Sequence, residues 1–194
     1  MLKDKLKDYK IILASGSPRR QQFFKDLDLD FEIRLKDIEE IYPDDLQGVE
    51  ITNYLAQLKA NAFEGEIAIN ELLVTSDTIV WLNSKALVKP KDYDDAFAIL
   101  KSLSNQTHEV ITSVCFKTIL KTETIFDVTK VTFNQLSDEA IRYYLDNYKP
   151  FDKAGAYGIQ EWIGLIGITR IDGSYTNVVG LPTEKVYQYL RNYD

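Results

Sequence analysis

The run Leu72-Leu73-Val74-Thr75-Ser76-Asp77-Thr78-Ile79-Val80-Trp81-Leu82 constrains the fold more than any other segment. Apolar residues occupy both sets of alternate positions, so a strand here needs cover on both faces. Asp77 interrupts the run. A carboxylate inside an apolar strand is costly unless it is ion-paired, hydrogen-bonded or bound to metal, and aspartate is a poor strand former. Burial raises its pKa and a nearby cation lowers it, so such a group can be tuned as a base or a ligand. The plainer alternative is a strand-end aspartate that meets solvent or a backbone amide.

The flanking segments alternate in period. Residues 9–14 and Phe31 to Arg34 read as strands, and 18–27 and 50–64 as helices. Asn83-Ser84-Lys85 reads as a turn into a short return strand, and Asp92 as the cap of a helix over 93–103. Two long strands, about 108–120 and 123–135, are expected to turn at Lys121-Thr122, and Ser137 to cap a helix carrying Ile141, Tyr144 and Leu145. A glycine-bearing loop over 150–160, a strand over 163–171 and a helix over 183–192 complete the chain. The pattern defines an α/β class with a mixed sheet flanked by helices. The 194 residues suit one domain or two small lobes sharing a core, and there is no internal repeat.

Thirty acidic against 23 basic side chains give a net charge of −7. That balance argues against broad nucleic-acid or acidic-membrane binding, so an anionic substrate needs a local basic cluster. The single cysteine, Cys115, excludes an internal disulfide and reads as core packing. The N-terminal residues lack a signal-peptide apolar region, and no window reaches membrane-spanning length. A soluble, cytosolic chain is expected.

The basic cluster has an obvious candidate. In Leu13-Ala14-Ser15-Gly16-Ser17-Pro18-Arg19-Arg20, Ser17 suits an N-cap and Pro18 the first helical position. Arg19 and Arg20 then fall in the first turn, where they oppose the helix dipole. Amides, hydroxyls and guanidinium groups at one point make an anion site; otherwise the pair is a solvated basic turn. Proline keeps Lys89 extended, while Lys59 lies on the 50–64 helix; each also reads as a surface charge. The loop Asp152-Lys153-Ala154-Gly155-Ala156-Tyr157-Gly158-Ile159-Gln160 carries both charges and an amide, yet is neither a Walker A loop nor a dinucleotide fingerprint. His108, the only histidine, reads as a turn-stabilising or gating side chain rather than a zinc ligand. Asp77, Glu39, Glu40 and Asp152 with Arg19, Arg20, Lys59, Lys89 and Lys153 suit Mg²⁺ or Mn²⁺ on hard oxygen ligands, with cations holding a polyphosphate.

Together with Asp37-Ile38-Glu39-Glu40, Lys59-Ala60, Thr107-His108-Glu109-Val110 and Asn177-Val178-Val179-Gly180-Leu181-Pro182, these segments resemble the Maf family of nucleoside-triphosphate pyrophosphatases from Ile12 to about Leu190. The resemblance implies a single elongated, ITPase-like domain over 1–194 with two lobes around a central cleft. It implies cleavage of a nucleoside triphosphate between the α and β phosphates, a divalent metal and a homodimer. On the matching positions it makes Asp77 the proton acceptor. Arg20, Lys59 and Lys89 become phosphate contacts and Glu40, with Asp77, a metal ligand. Arg19, Thr78 and Gln160 become determinants of the base, with Ser15 in the same pocket. Those three resemble the subgroup acting on dTTP and UTP. The chain departs from the family pattern at Val88, Asn105, Ser113 and Glu161, where glycine is common. A non-catalytic nucleotide-binding regulator of cell division is the alternative. It does not need the Asp77 and Glu40 pair that this chain retains. A plain interaction domain is the third reading.

Overall fold

In the computed structural model, which describes residues 2–193, helix α1 (Leu2–Lys5) leads into β1 (Lys10–Leu13), α2 (Pro18–Asp26) and β2 (Phe31–Ile33). Then come α3 (Val49–Asn61), β3 (Glu71–Leu82), β4 (Lys85–Leu87), α4 (Tyr93–Leu103), β5 (Thr107–Lys117) and β6 (Thr122–Phe133). The chain closes with α5 (Asp138–Tyr148), a 3₁₀ turn (Ala154–Ala156), α6 (Trp162–Gly167), β7 (Ile168–Asp172), α7 (Tyr175–Val179) and α8 (Thr183–Arg191). The seven strands form one mixed sheet in the order β2-β1-β3-β5-β6-β7, with β4 paired to β3. Strand β1 is parallel to β2 and β3, whereas β4 on β3 and β7 on β6 are antiparallel.

The chain divides into two compact units. The first takes residues up to Asp77, Thr112–Asp127 and those from Gly180 on. Here the strand alternation is used in full. Ile11, Leu13, Leu72, Val74 and Phe116 pack with Phe24 of α2 and with residues of α1 and α8. The intervening Ile12, Leu73 and Cys115 pack with Ala56 and Ala60 of α3 and with Phe63. Helices thus cover β3 on both faces, as its composition requires. Buried hydroxyls fix α3 to β5: Thr52 Oγ1 lies 2.7 Å from Ser113 Oγ, which also donates to Asn53 Oδ1 at 2.7 Å. Ser113, where glycine is common in the resembling family, is therefore a strand residue with partners of its own.

The second unit comprises Thr78–Ile111 and Val128–Val179. Val80, Leu82, Val110, Val131 and Phe133 from the strands meet Leu100 and Leu103 of α4 and Ile141, Tyr144 and Leu145 of α5. Asp92 and Ser137 cap their helices through side-chain bonds to Asp95 N and Ala140 N. Gly155 has φ 69°, and a Cβ there would stand 2.6 Å from Val80 Cγ2, so only glycine fits.

Several expectations are corrected. Residues 162–167 are helical, not part of a strand over 163–171; β7 is Ile168–Asp172. The apolar run suggested a strand, but only Ile163 and Gly167 are buried, at helical i, i+4 spacing, while Leu165 faces out. The long hairpin turns at Thr118–Lys121, before Lys121-Thr122, because the Thr118 hydroxyl accepts the Leu120 and Lys121 amides. His108 is buried within β5 rather than in a turn. The charged N-terminal segment forms α1, whose Leu2 is buried with nearby Leu6. Val88 needs no positive φ, whereas Asn105 takes φ 58°. No helix among the described residues is long and apolar enough to cross a membrane.

One half-buried ion pair gives this fold a measurable acid limit. Arg34 donates to both oxygens of Glu71 at 2.8 and 3.1 Å, and the Ala68 amide adds a third bond. The guanidinium holds the Glu71 carboxyl down at about 2, against an ordinary 4.5. A depressed folded-state pKa gives stability that is present above the unfolded value and lost as pH falls through the folded one. The melting temperature is therefore expected to fall as pH drops from 4.5 towards 2, and Glu71→Gln to flatten that part of the profile; scanning calorimetry across this range reads it.

Candidate active site

Strand β1 ends at Leu13, and the small residues Ala14 to Ser17 carry the chain into α2. Ser17 takes the N-cap position with extended backbone and Pro18 follows, but the Ser17 side chain makes no cap bond. The expectation of a side-chain cap is corrected in an informative way. Ser15 Oγ instead accepts the Ser17 amide at 3.3 Å, and Ser15 O accepts Gln21 Nε2 at 3.1 Å. Ser15 is buried and braces the turn.

Arg20 spans two distant backbone positions. Its Nε donates to Gly180 O at 2.9 Å and its Nη1 to Ser76 O at 3.1 Å. Burial lowers the guanidinium pKa, and the charges of Asp77 and Glu40 pull it back up. Sequence reasoning missed these carbonyl partners, because a backbone acceptor leaves no residue-type signal. Arg19 is half-buried beside it in the first turn.

Asp77 lies inside β3 and is 5 % exposed, so the strand-end alternative is excluded. Lys59, near the end of α3, reaches it with Nζ 2.6 Å from Oδ1. The same Nζ lies 3.0 Å from Glu40 Oε1. One ammonium is thus shared by two carboxylates from distant parts of the sequence, with Arg20 as a second cation near Asp77. Burial pushes the Asp77 pKa up, and Lys59 followed by Arg20 works against that push. A buried carboxyl with a raised proton affinity and fixed cations around it can take a proton from water next to an anion.

Among the described residues, no group of three or more His, Cys, Asp or Glu side chains is arranged to hold a metal. A cage made of protein ligands alone is therefore not present. The donors do fit a hard divalent cation of the kind bound by one or two carboxylates with substrate phosphates. Glu40 and Asp77 already converge on one positive centre, the Lys59 ammonium.

The remaining expected site residues belong to the second unit. Thr78 follows Asp77 in β3 and is half-buried, whereas Lys89 and Gln160 are exposed. Val88 O accepts the Gly155 amide at 3.4 Å, which ties the segment before Lys89 to the loop that leads to Gln160. Glu161 points back into its own unit, onto Lys153 and Tyr144. His108 Nε2 lies 2.7 Å from Tyr157 Oη, and burial takes the imidazole down to about 4, so it stays neutral near pH 7.

The mixed sheet flanked by helices makes this an α/β protein, in which Asp77, Lys59 and Glu40 meet near Arg20 at the start of α2. The profile of the Maf-like protein family matches residues 10–193, and the chain belongs to the Maf family. A protein of Flavobacterium psychrophilum named dTTP/UTP pyrophosphatase is 76 % identical over 193 residues, covering 100 % of this chain and 99 % of its own. Proteins of the same name from Flavobacterium johnsoniae and Christiangramia forsetii are 73 % and 51 % identical, each over 98 % of this chain and over 98 % and 97 % of their own. Among solved structures, the Staphylococcus aureus Ham1 protein aligns with a TM-score of 0.47 at 16 % identity, over 66 % of this chain and 72 % of its own, too distant to argue from.

The Arg20 fork bridges positions 160 and 56 residues away. A lysine head cannot donate to both carbonyls in that geometry. Arg20→Lys is expected to lower unfolding free energy by about 1–3 kcal/mol, the cost of leaving a buried acceptor unmet. Urea titration followed by circular dichroism measures it.

Proposed function

We propose that the chain hydrolyses nucleoside triphosphates between the α and β phosphates, releasing a monophosphate and pyrophosphate, with dTTP and UTP as its substrates. The observation that carries this reading is the Glu40–Lys59–Asp77 cluster beside Arg20. The names of the relatives, at up to 76 % identity, support the choice of substrate.

In this reading Asp77 accepts a proton from water. The hydroxide oxygen bonds to the α-phosphorus as the bond from that phosphorus to the α–β bridging oxygen breaks. The electron pair leaves with pyrophosphate. Lys59 orients Asp77 and, with Arg20 and Lys89, offsets the phosphate charge. Glu40 and Asp77 would hold Mg²⁺ or Mn²⁺, which supplies further charge neutralisation at the phosphates. Arg19, Thr78 and Gln160 are assigned to the base, and Ser15 to the turn that presents Arg19.

Pyrophosphate release is measured against dTTP, UTP, CTP and 7-methyl-GTP with Mg²⁺ or Mn²⁺. Turnover of dTTP and UTP is expected, and Asp77→Asn should lower kcat by about 10²–10⁴-fold, the usual contribution of a general base, while nucleotide binding persists in calorimetry. Near-normal turnover by that variant would remove Asp77 from the base role. Binding of dTTP with no product from the unaltered protein would favour a nucleotide-binding regulator.

A further inference from the structure

Gln160 is exposed, yet the backbone around it is held tightly. Residues Gly158 to Glu161 form a turn closed by the Glu161 amide donating to Gly158 O at 3.0 Å. Gln160 is the third residue of that turn. Both ends of the turn meet one oxygen. The Gly158 amide donates to Tyr144 Oη at 3.0 Å, and Tyr144 Oη donates to Glu161 Oε2. Tyr144 is fully buried in α5, so this oxygen belongs to a packed element rather than to the loop. Burial followed by the Glu161 bond raises the phenol's pKa.

The other oxygen of Glu161 is engaged as well. Lys153 Nζ lies 3.2 Å from Glu161 Oε1 and 2.7 Å from Asp152 Oδ1, and the Lys153 side chain is only 10 % exposed. Just ahead of Gly158, the Tyr157 hydroxyl is bonded to His108 in β5. The Glu161 carboxylate lies close over Gly158, 2.8 Å from where a Cβ would stand. The only long polar side chain in the turn that these bonds leave pointing outward is Gln160.

We infer that Tyr144 and Glu161 are positioning residues for base selectivity, stapling the Gly158–Glu161 turn so that Gln160 is presented in one orientation. This rests on the assignment of Gln160 to the base. An amide that can rotate or drift offers either its donor or its acceptor edge to a nucleobase and discriminates poorly. A fixed amide rewards one pattern of donors and acceptors. Neither staple residue touches substrate in this account, so the effect falls on KM and on the choice of base.

The test compares kcat and KM for dTTP, UTP and CTP in the unaltered protein and in Tyr144→Phe, Glu161→Ala, Glu161→Gln and Gln160→Ala. Tyr144→Phe and Glu161→Ala are expected to raise KM for dTTP and UTP about tenfold, as loss of one oriented contact does. Their kcat should stay within about twofold, the pattern of a lost binding interaction, and discrimination against CTP should narrow. Glu161→Gln, which still accepts from Tyr144, should recover most of the selectivity. If Gln160→Ala changes the dTTP-to-CTP ratio while Tyr144→Phe and Glu161→Ala only lower the melting temperature, the staple is structural and the inference fails with the Gln160 assignment intact. If Gln160→Ala leaves that ratio unchanged, the assignment fails and the inference with it. Should Tyr144→Phe not fold, the contrast between Glu161→Ala and Glu161→Gln decides the matter alone.

Discussion

The structure turns on one lysine. Asp77 sits where a strand covered on both faces tolerates no unpaired charge, and the Lys59 ammonium at 2.6 Å makes its ionised form affordable. To deliver that ammonium, α3 must lie against β3 at a fixed height. The Thr75 hydroxyl bonded to Ala56 O, and the Thr52–Ser113 contact, provide that registration. Glu40 then reaches the same nitrogen from a loop, at 3.0 Å. Moving α3 by one residue would withdraw the cation and leave two carboxylates without it.

Much of this arrangement was visible in the residues before any coordinates. The apolar run around Asp77 announced a doubly covered strand because both alternate sets of positions are hydrophobic. Asp92 and Ser137 announced their helices because short polar side chains favour N-caps. Periodicity failed at 163–167, where a glycine-containing run folds into a short helix and exposes Leu165, while the strand begins only at Ile168. Ser17 occupies its expected N-cap position without a side-chain cap bond, and its own amide is taken up by Ser15 Oγ.

The site was legible in part and for a physical reason. Asp77 stood out because its residue type conflicts with its surroundings. Lys59 and Glu40 carry no such conflict; charge alone made them candidates among several acidic and basic residues, and the resemblance gave them roles. The carbonyls of Ser76 and Gly180 that hold Arg20 could not be read at all, because every residue has a carbonyl. In the sequence, Tyr144 is part of a buried helical stripe and nothing more. Its hydroxyl has a second task that side-chain hydrophobicity does not encode.

The position of Gly180 bears on synthesis of the chain by the ribosome. Arg20 is made early, yet a carbonyl it grips is made 160 residues later. The first unit is likewise completed only by the segment from Gly180 onward, which brings α8. Until Gly180 is made, the guanidinium lacks that carbonyl, so the bond that ties α2 to this segment forms late. A product terminated before Gly180 would contain every acidic and basic residue of the cluster and still lack the carbonyl that Arg20 Nε grips.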